Sequence, residues 1–264
     1  MTAHVSPDDP GFGFRAPRST APASSPRRVY ELLRAEIRSA SDDGAVQFVE
    51  HPLTRSMGAS RSAVRGALQM LAADGLVSRR RRSGTSVTNS IVEIPAGEVL
   101  PLRSYDSDNV ARVTIEELDH RVVQSTPGMR ARLETDARSV LLTEQAFYLE
   151  GRPLFVRVGY TVTDLEPADF HQAVLDIDSG PPEFGEVFQL LHGRPFGRSE
   201  TVLEAVPCEA RTARILDIAE RSPVLMREMI LRDDQDVPRN LSYTHFRGDR
   251  VALSASTTEL RRLG

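Results

Sequence analysis

The chain is predicted to be an α+β protein in two parts: a small helical unit closed by a β-hairpin, and a larger antiparallel sheet carrying helices. Three observations predict it. Apolar residues recur at helical period between residues 27 and 73, and mixed strand and helix periods follow from residue 112. An arginine-rich turn with strand-like flanks separates the two regions. The charge divides with them. The chain carries −4 over 264 residues, yet residues 26–89 hold eleven arginines against six acids, a net +5, which leaves −9 on 90–264 and none on 1–25. A basic module on an acidic body predicts that only the first part meets a polyanion.

Composition narrows the function classes. No run approaches the roughly 18 apolar residues of a membrane span, and the N-terminus shows no hydrophobic signal core. A cytoplasmic protein without membrane attachment is expected. The single cysteine, Cys208, excludes an intramolecular disulfide and fits a reducing compartment. The histidines lie scattered without metal-ligand spacing, so neither a metal nor a cofactor is expected. Glu200 and Glu204 fall on one strand face, but no histidine or nucleophile is placed with them, and the chain is not expected to be an enzyme.

In chain order, residues 1–25 are rich in Pro, Ser, Ala and Gly and are expected to form a disordered tail. From Arg27, the residues Val29, Leu32, Leu33 and Ile37 form a stripe at i, i+3, i+4 and i+8, ended by Ser39 to Gly44. The segment Val46 to Val49 leads into a short helix, Glu50 to Gly58, with Leu53 and Met57 inward. Pro52 is tolerable there because it falls in the first turn. The next helix is the strongest signal in the chain. Gly58 makes a turn, Ser60 caps, and Arg61 and Arg65 share one side. Val64, Leu68 and Leu71 follow as a buried stripe, and Asp74-Gly75 closes the helix with a left-handed residue. Arginine at the exposed N-terminal end with apolar residues behind is what a helix needs to enter a DNA major groove while anchored to a core. Alone, such a helix is as readily a core helix with solvated arginines. Leu76 to Val87 adds a hairpin wing around Arg79, Arg80, Arg81 and Arg82, and the order helix, helix, turn, helix, wing is a winged helix-turn-helix over residues 26–89. Residues 90–111 read as a linker holding one short strand, Ile91 to Ile94.

The larger body, 112–264, has expected strands at 118–123, 139–149, 154–163, 199–205, 224–232, 242–247 and 251–256. Helices are expected at 129–136, 183–192 and 209–219, with Phe184, Val187, Phe188 and Leu191 inward in the second. Glu150-Gly151-Arg152-Pro153 is a hairpin turn, and tight turns between neighbouring strands favour an antiparallel sheet partly covered by helices.

The run from Gln47 to Arg65, then Ala67-Leu68, Leu71, Gly75-Leu76-Val77 and Gly84-Thr85, resembles the signature of the GntR superfamily of bacterial transcription regulators. The resemblance implies that Ser60, Arg61, Ser62 and Arg65 meet base edges or phosphates of an operator duplex. It places the wing, Arg79 to Arg82 with Gly84 and Thr85, in or near the minor groove. The wing arginines suit phosphates, which supply affinity without sequence code, while Arg61 and Arg65 are the candidates for reading guanine. One departure stands out. The family's Leu-Pro-Ser-Glu-Arg is here Gln47-Phe48-Val49-Glu50-His51, so the second helix is expected to be less well capped, and His51 replaces a usual phosphate-binding arginine.

From about residue 112 to 262 the chain resembles the UTRA domain, the effector-binding module of the HutC-type branch, whose fold is shared with chorismate lyase. The pieces that carry this are Gly151-x-Pro153, Leu190-Leu191-x-Gly193, Glu200 to Ala205, Ser222 to Leu225, Pro238 to Ser242 and Arg247-Gly248-Asp249-Arg250. The resemblance implies a site for small polar or phosphorylated metabolites. The family's arginine pair falls at Gln145 and Phe147, and two of its glutamates fall at Arg157 and Asn240, while Ser242 keeps the family type. Cationic charge therefore moves to Arg157, with Arg130 and Arg132 as further candidates and Tyr160 completing the set. An anionic effector is expected rather than an amino sugar. Arg157 also admits the reading of a solvated strand residue, and Arg247 to Arg250 that of a hairpin turn. The whole predicts a homodimeric repressor that a small molecule releases from double-stranded DNA. A lyase-like enzyme domain fused to a DNA-binding module, and a constitutive DNA binder with a degenerate site, are the alternatives.

Overall fold

A computed structural model of the chain describes residues 25–39, 47–80, 84–88, 91–99, 113–164, 168–169 and 184–256. The expected tail through residue 24, the wing-tip residues Arg81 to Ser83 and the side chains of Arg79 and Arg80 lie outside that description. The chain separates into two units, Met1–Ser90 and Ile91–Gly264.

In the first unit, α1 (Pro26–Ser39) buries Val29, Tyr30, Leu33 and Ile37. Leu32, expected inward, is 56% exposed. At about 100° per residue the four buried side chains span an arc of about 100°, and Leu32 falls roughly 60° outside it. Tyr30 takes that place, and its Oη donates to Asp74 Oδ2 at 2.5 Å. Next come β1 (Gln47–Phe48), α2 (Glu50–Ser56) and α3 (Arg61–Ala73). Ser60 caps α3 by accepting from the Ala63 amide at 3.2 Å, and Ala63, Val64, Ala67, Leu68 and Leu71 are buried behind it. Gly58 and Gly75, with φ of 57° and 70°, stop α2 and α3 in the left-handed region. At both ends a backbone amide reaches back five residues, Ala59 to Thr54 and Leu76 to Leu71. The cap of α2 is Val49, which makes no side-chain cap bond, and Leu53 and Met57 are only half-buried. Strands β2 (Val77–Arg80) and β3 (Gly84–Val87) form the wing, and β1 joins it in the order β1-β3-β2.

The second unit starts with β4 (Val92–Pro95), inside the segment expected as linker. It then runs β5 (Val113–Gln124), α4 (Pro127–Arg132), β6 (Ser139–Leu149), β7 (Arg152–Thr161), α5 (Phe184–His192), β8 (Phe196–Pro207), α6 (Ala210–Ile215), β9 (Pro223–Asp233), β10 (Pro238–Arg247) and β11 (Val251–Ser254). Six strands form one antiparallel sheet, β5-β6-β7-β10-β9-β8. The last strand does not fold back on β10 as a hairpin. It leaves the sheet and pairs in parallel with β4, after a turn held by Arg247 on Asp249 at 2.7 Å. Helices α4 and α6 end earlier than expected because their left-handed stop residues are Glu134 and Asp217, not glycine. The amides of Thr135 and Ile218 close those ends onto Arg130 and Ala213.

Alternation gives the sheet two faces. On one, α4 packs Leu133 on Val140, Ile230 and Leu241, and α6 packs Ala213 and Leu216 on Ala146, Val156 and Val224. The other face is apolar at two places. Phe147, Leu154, Phe155 and Phe246 pack against Ile94 and Val251 of the β4–β11 pair, and Phe188 of α5 packs on Met229 and Leu231. Between them the face is polar.

Candidate functional site

The first unit presents α3 as a cation-bearing edge on a buried stem. Arg61, Ser62 and Arg65 are exposed while Val64, Leu68 and Leu71 are not. Because the cap bond is made by Ser60, the helix starts at Arg61 and its first turn is ordered by its own sequence. Ser60 Oγ also lies 3.0 Å from Ser62 Oγ, so the two hydroxyls of the candidate set stand together beside the arginines. His51 is exposed on α2. Thr85 departs from the set: it is 3% exposed, facing Phe48 across the β1–β3 pair, so it is buried rather than presented at the surface.

The second unit brings together five of the eight effector candidates and separates three. Gln145, Arg157, Thr244 and Arg227 form one row across β6, β7, β10 and β9. The next row is Thr143, Gly159, Ser242 and Met229, ending on Thr201 of β8. Thr161 and Asn240 face each other in the third. Phe147 belongs to the aromatic floor beneath the first row, stacked on Phe155 with centroids 4.4 Å apart. Tyr160 lies on the opposite face, as alternation from Arg157 requires, and packs in the α4 cluster. The two α4 arginines lie on that side as well. Arg130 donates to the Ser125 carbonyl at 2.6 Å, and Arg132 pairs with Glu228, the neighbour of Tyr243.

Arg157 dominates what remains. Its guanidinium lies near Gly159: a Cβ there would sit in ordinary contact, 3.7 Å from Arg157 Nη2 and 3.5 Å from Asn240 Nδ2. Nη2 donates to Asn240 Oδ1 at a long 3.4 Å, and Asn240 is itself oriented by donating to Thr161 Oγ1 at 2.8 Å. Among the described residues no carboxylate pairs with Arg157, and burial alone pushes its pKa below the ordinary arginine value. A half-buried cation with one neutral acceptor among the described residues is a site short of an anion. Around it, Ser242 and Thr244 are buried, and the hydroxyls of Thr143 and Thr201 are buried without a hydrogen-bond partner. Sequence reasoning missed Thr143, Gly159, Thr161, Thr201, Thr244 and Arg227. Alternation from Arg157 marks Gly159 and Thr161 on β7, but the residues on other strands depend on register, which is non-local. Glu200 is committed to Arg232 and Arg198, each at 2.8 Å. Among the described residues no helix is long and apolar enough to cross a membrane, and no group of three or more His, Cys, Asp or Glu is placed to hold a metal.

Comparison with known proteins divides the chain in the same way. Residues 26–87 match the bacterial regulatory proteins of the gntR family, and residues 108–252 match the UTRA domain. The HTH-type transcriptional regulator GgaR of Escherichia coli (strain K12) is 25% identical over 224 residues, covering 83% of this chain and 85% of that protein. The crystal structure of PhnF from Mycobacterium smegmatis is similar in fold, with a TM-score of 0.55 at 20% identity over 87% of this chain and 98% of that one.

Proposed function

We infer the function from family membership: the chain belongs to the gntR family of bacterial regulatory proteins and carries its UTRA domain, so it is a ligand-responsive transcriptional regulator. On that premise we propose that it is a repressor of the HutC-type branch, released from its operator by a small anionic metabolite bound at Arg157. The observation that carries the anion is the half-buried guanidinium of Arg157 with no carboxylate partner among the described residues. A phosphate or carboxylate there gains charge-assisted hydrogen bonds that Asn240 cannot supply. The hydroxyls of Thr143, Ser242 and Thr201 on the neighbouring row favour an oxygen-rich ligand. The reading assigns no catalytic role to the domain; Glu200, the acid most suited to one, is spent on two ion pairs. It also takes the active species to be a homodimer, since two half-sites need two copies of α3.

The test is a thermal-shift screen of metabolite anions on the full-length protein, with each hit then measured for release of a duplex selected from a random pool. Arg157→Ala is expected to keep DNA affinity and lose release altogether. Release that persists unchanged in that variant would remove the anion site from this reading.

A further inference from the structure

The row that holds half-buried Arg157 also holds a fully buried arginine, and that one grips the segment that follows β4. Arg227 is 2% exposed. Its Nη1 donates to two backbone carbonyls, Ala96 at 3.2 Å and Glu98 at 3.0 Å, and its guanidinium lies 5.2 Å from the Phe246 ring centroid. Ser199 Oγ adds a third tie, to the carbonyl of Gly97 at 3.1 Å, and Val99 packs on the Phe188 cluster. Residues 96–99 directly follow β4; the amides of Val92 in β4 and of Ala96 just after it bond to the carbonyls of Arg250 and Ser254. The chain entering the second unit therefore meets the sheet first through β4 and then through a segment pinned by Arg227. Only Thr244 separates Arg227 from Arg157 in the register, which puts their Cα atoms about 10 Å apart, two strand spacings, within reach of a shared ligand.

We propose that Arg227 transmits occupancy of the anion site to this segment: an anion held by Arg157 competes with the carbonyls of Ala96 and Glu98 for the Arg227 guanidinium. The inference rests on the anion reading of Arg157. A charged oxygen is a stronger acceptor than a neutral carbonyl, and a forked guanidinium that turns toward it gives up both carbonyls at once. The segment then loses both of its ties to Arg227 while the tie from Ser199 to Gly97 stays. Differential interaction of one ligand with the tied and untied arrangements is what a population shift requires.

Hydrogen–deuterium exchange on the full-length protein over residues 92–99, with inorganic phosphate as the probe and phosphate binding followed by thermal shift, tests it. In the wild type, saturating phosphate is expected to speed exchange of these amides by about tenfold. Arg157→Ala should bind no phosphate and stay protected in its presence. Arg227→Lys keeps the charge but not the fork; it should exchange fast with or without phosphate. Ser199→Ala, at a half-buried side chain, should exchange at an intermediate rate and still respond. A wild type that binds phosphate without any change over 92–99 overturns the transmission role and leaves the anion site standing, as does an Arg227→Lys variant that keeps both protection and response. A wild type that binds neither phosphate, sulfate nor acetate overturns both readings.

Discussion

A guanidinium that loses part of its water without gaining a carboxylate among the described residues carries a cost, and half-buried Arg157 is in that position. Asn240 answers part of that cost by offering an oxygen to Nη2. The strand pattern also allowed a solvated arginine, and the half-burial of Arg157 leaves its side chain partly against neighbours and partly exposed. A half-buried histidine gives a prediction for stability. Burial, reinforced by repulsion from Arg239, pushes His192 down to about 4. Its unfolded value is about 6.5, so the folded state binds fewer protons than the unfolded one between these limits. The stability it contributes is complete above about pH 6.5 and is lost as the pH falls toward about 4. Unfolding free energies from denaturant titrations at pH 7 and pH 5 should therefore differ by on the order of 1–2 kcal/mol more in the wild type than in His192→Gln. Equal differences in the two proteins would exclude the histidine as the source.

Elements whose limits are set by local chemistry were legible in the sequence. Helix α3 is the clearest: Ser60 and Gly75 fix its ends, and Val64, Leu68 and Leu71 fix its buried side. Strand β6 fell on its expected limits, bounded by a turn at Glu150-Gly151. Helices α4 and α6 were misjudged in length because Glu134 and Asp217 adopt a conformation that sequence reading assigns to glycine. The edge strands β5 and β8 run longer than expected, since residues such as Glu116, Glu117 and Glu204 break the apolar alternation where one edge faces water. The site was half legible. Arg157 and its own strand could be read, but Thr143 and Arg227 join it only through pairing with distant segments. The departure at Val49 was legible and gives an element-scale prediction. Val49 caps α2 with no side-chain bond, and Pro52 has no amide to offer, so only the amides near His51 remain to be capped. Val49→Asp should stabilise the first unit by about 0.5–1 kcal/mol, through a cap bond and a favourable charge at the helix N-terminus. The readout is a higher urea midpoint at unchanged slope; a lower midpoint would mean that the half-exposed valine contributes more by packing than the cap returns.

At the scale of the whole molecule the question is how a short basic unit gains specificity. One α3 presents two exposed arginines, Arg61 and Arg65, and a good bidentate contact to guanine discriminates by about 1–3 kcal/mol. That is too little for one copy to stand out against non-specific sites, which specific binders exceed by about 4–10 kcal/mol. Two copies held at a fixed spacing close the gap, and the spacing itself becomes a measurable property. If the protein acts as a homodimer, its selected duplex should contain two related half-sites about one helical turn apart, or a multiple of it. Inserting about 5 base pairs between them turns one half-site to the far side of the duplex, and affinity should fall by about a hundredfold or more, toward the non-specific level. Inserting about 10 base pairs should restore part of it, to the extent that the connecting segments reach the added length of about 34 Å. Fluorescence anisotropy at one fixed salt concentration separates this from loss of phosphate contacts, because all three duplexes carry the same charge density. Affinity indifferent to the insertion would mean that each copy binds alone, and the regulator would then have to draw its specificity from the wing.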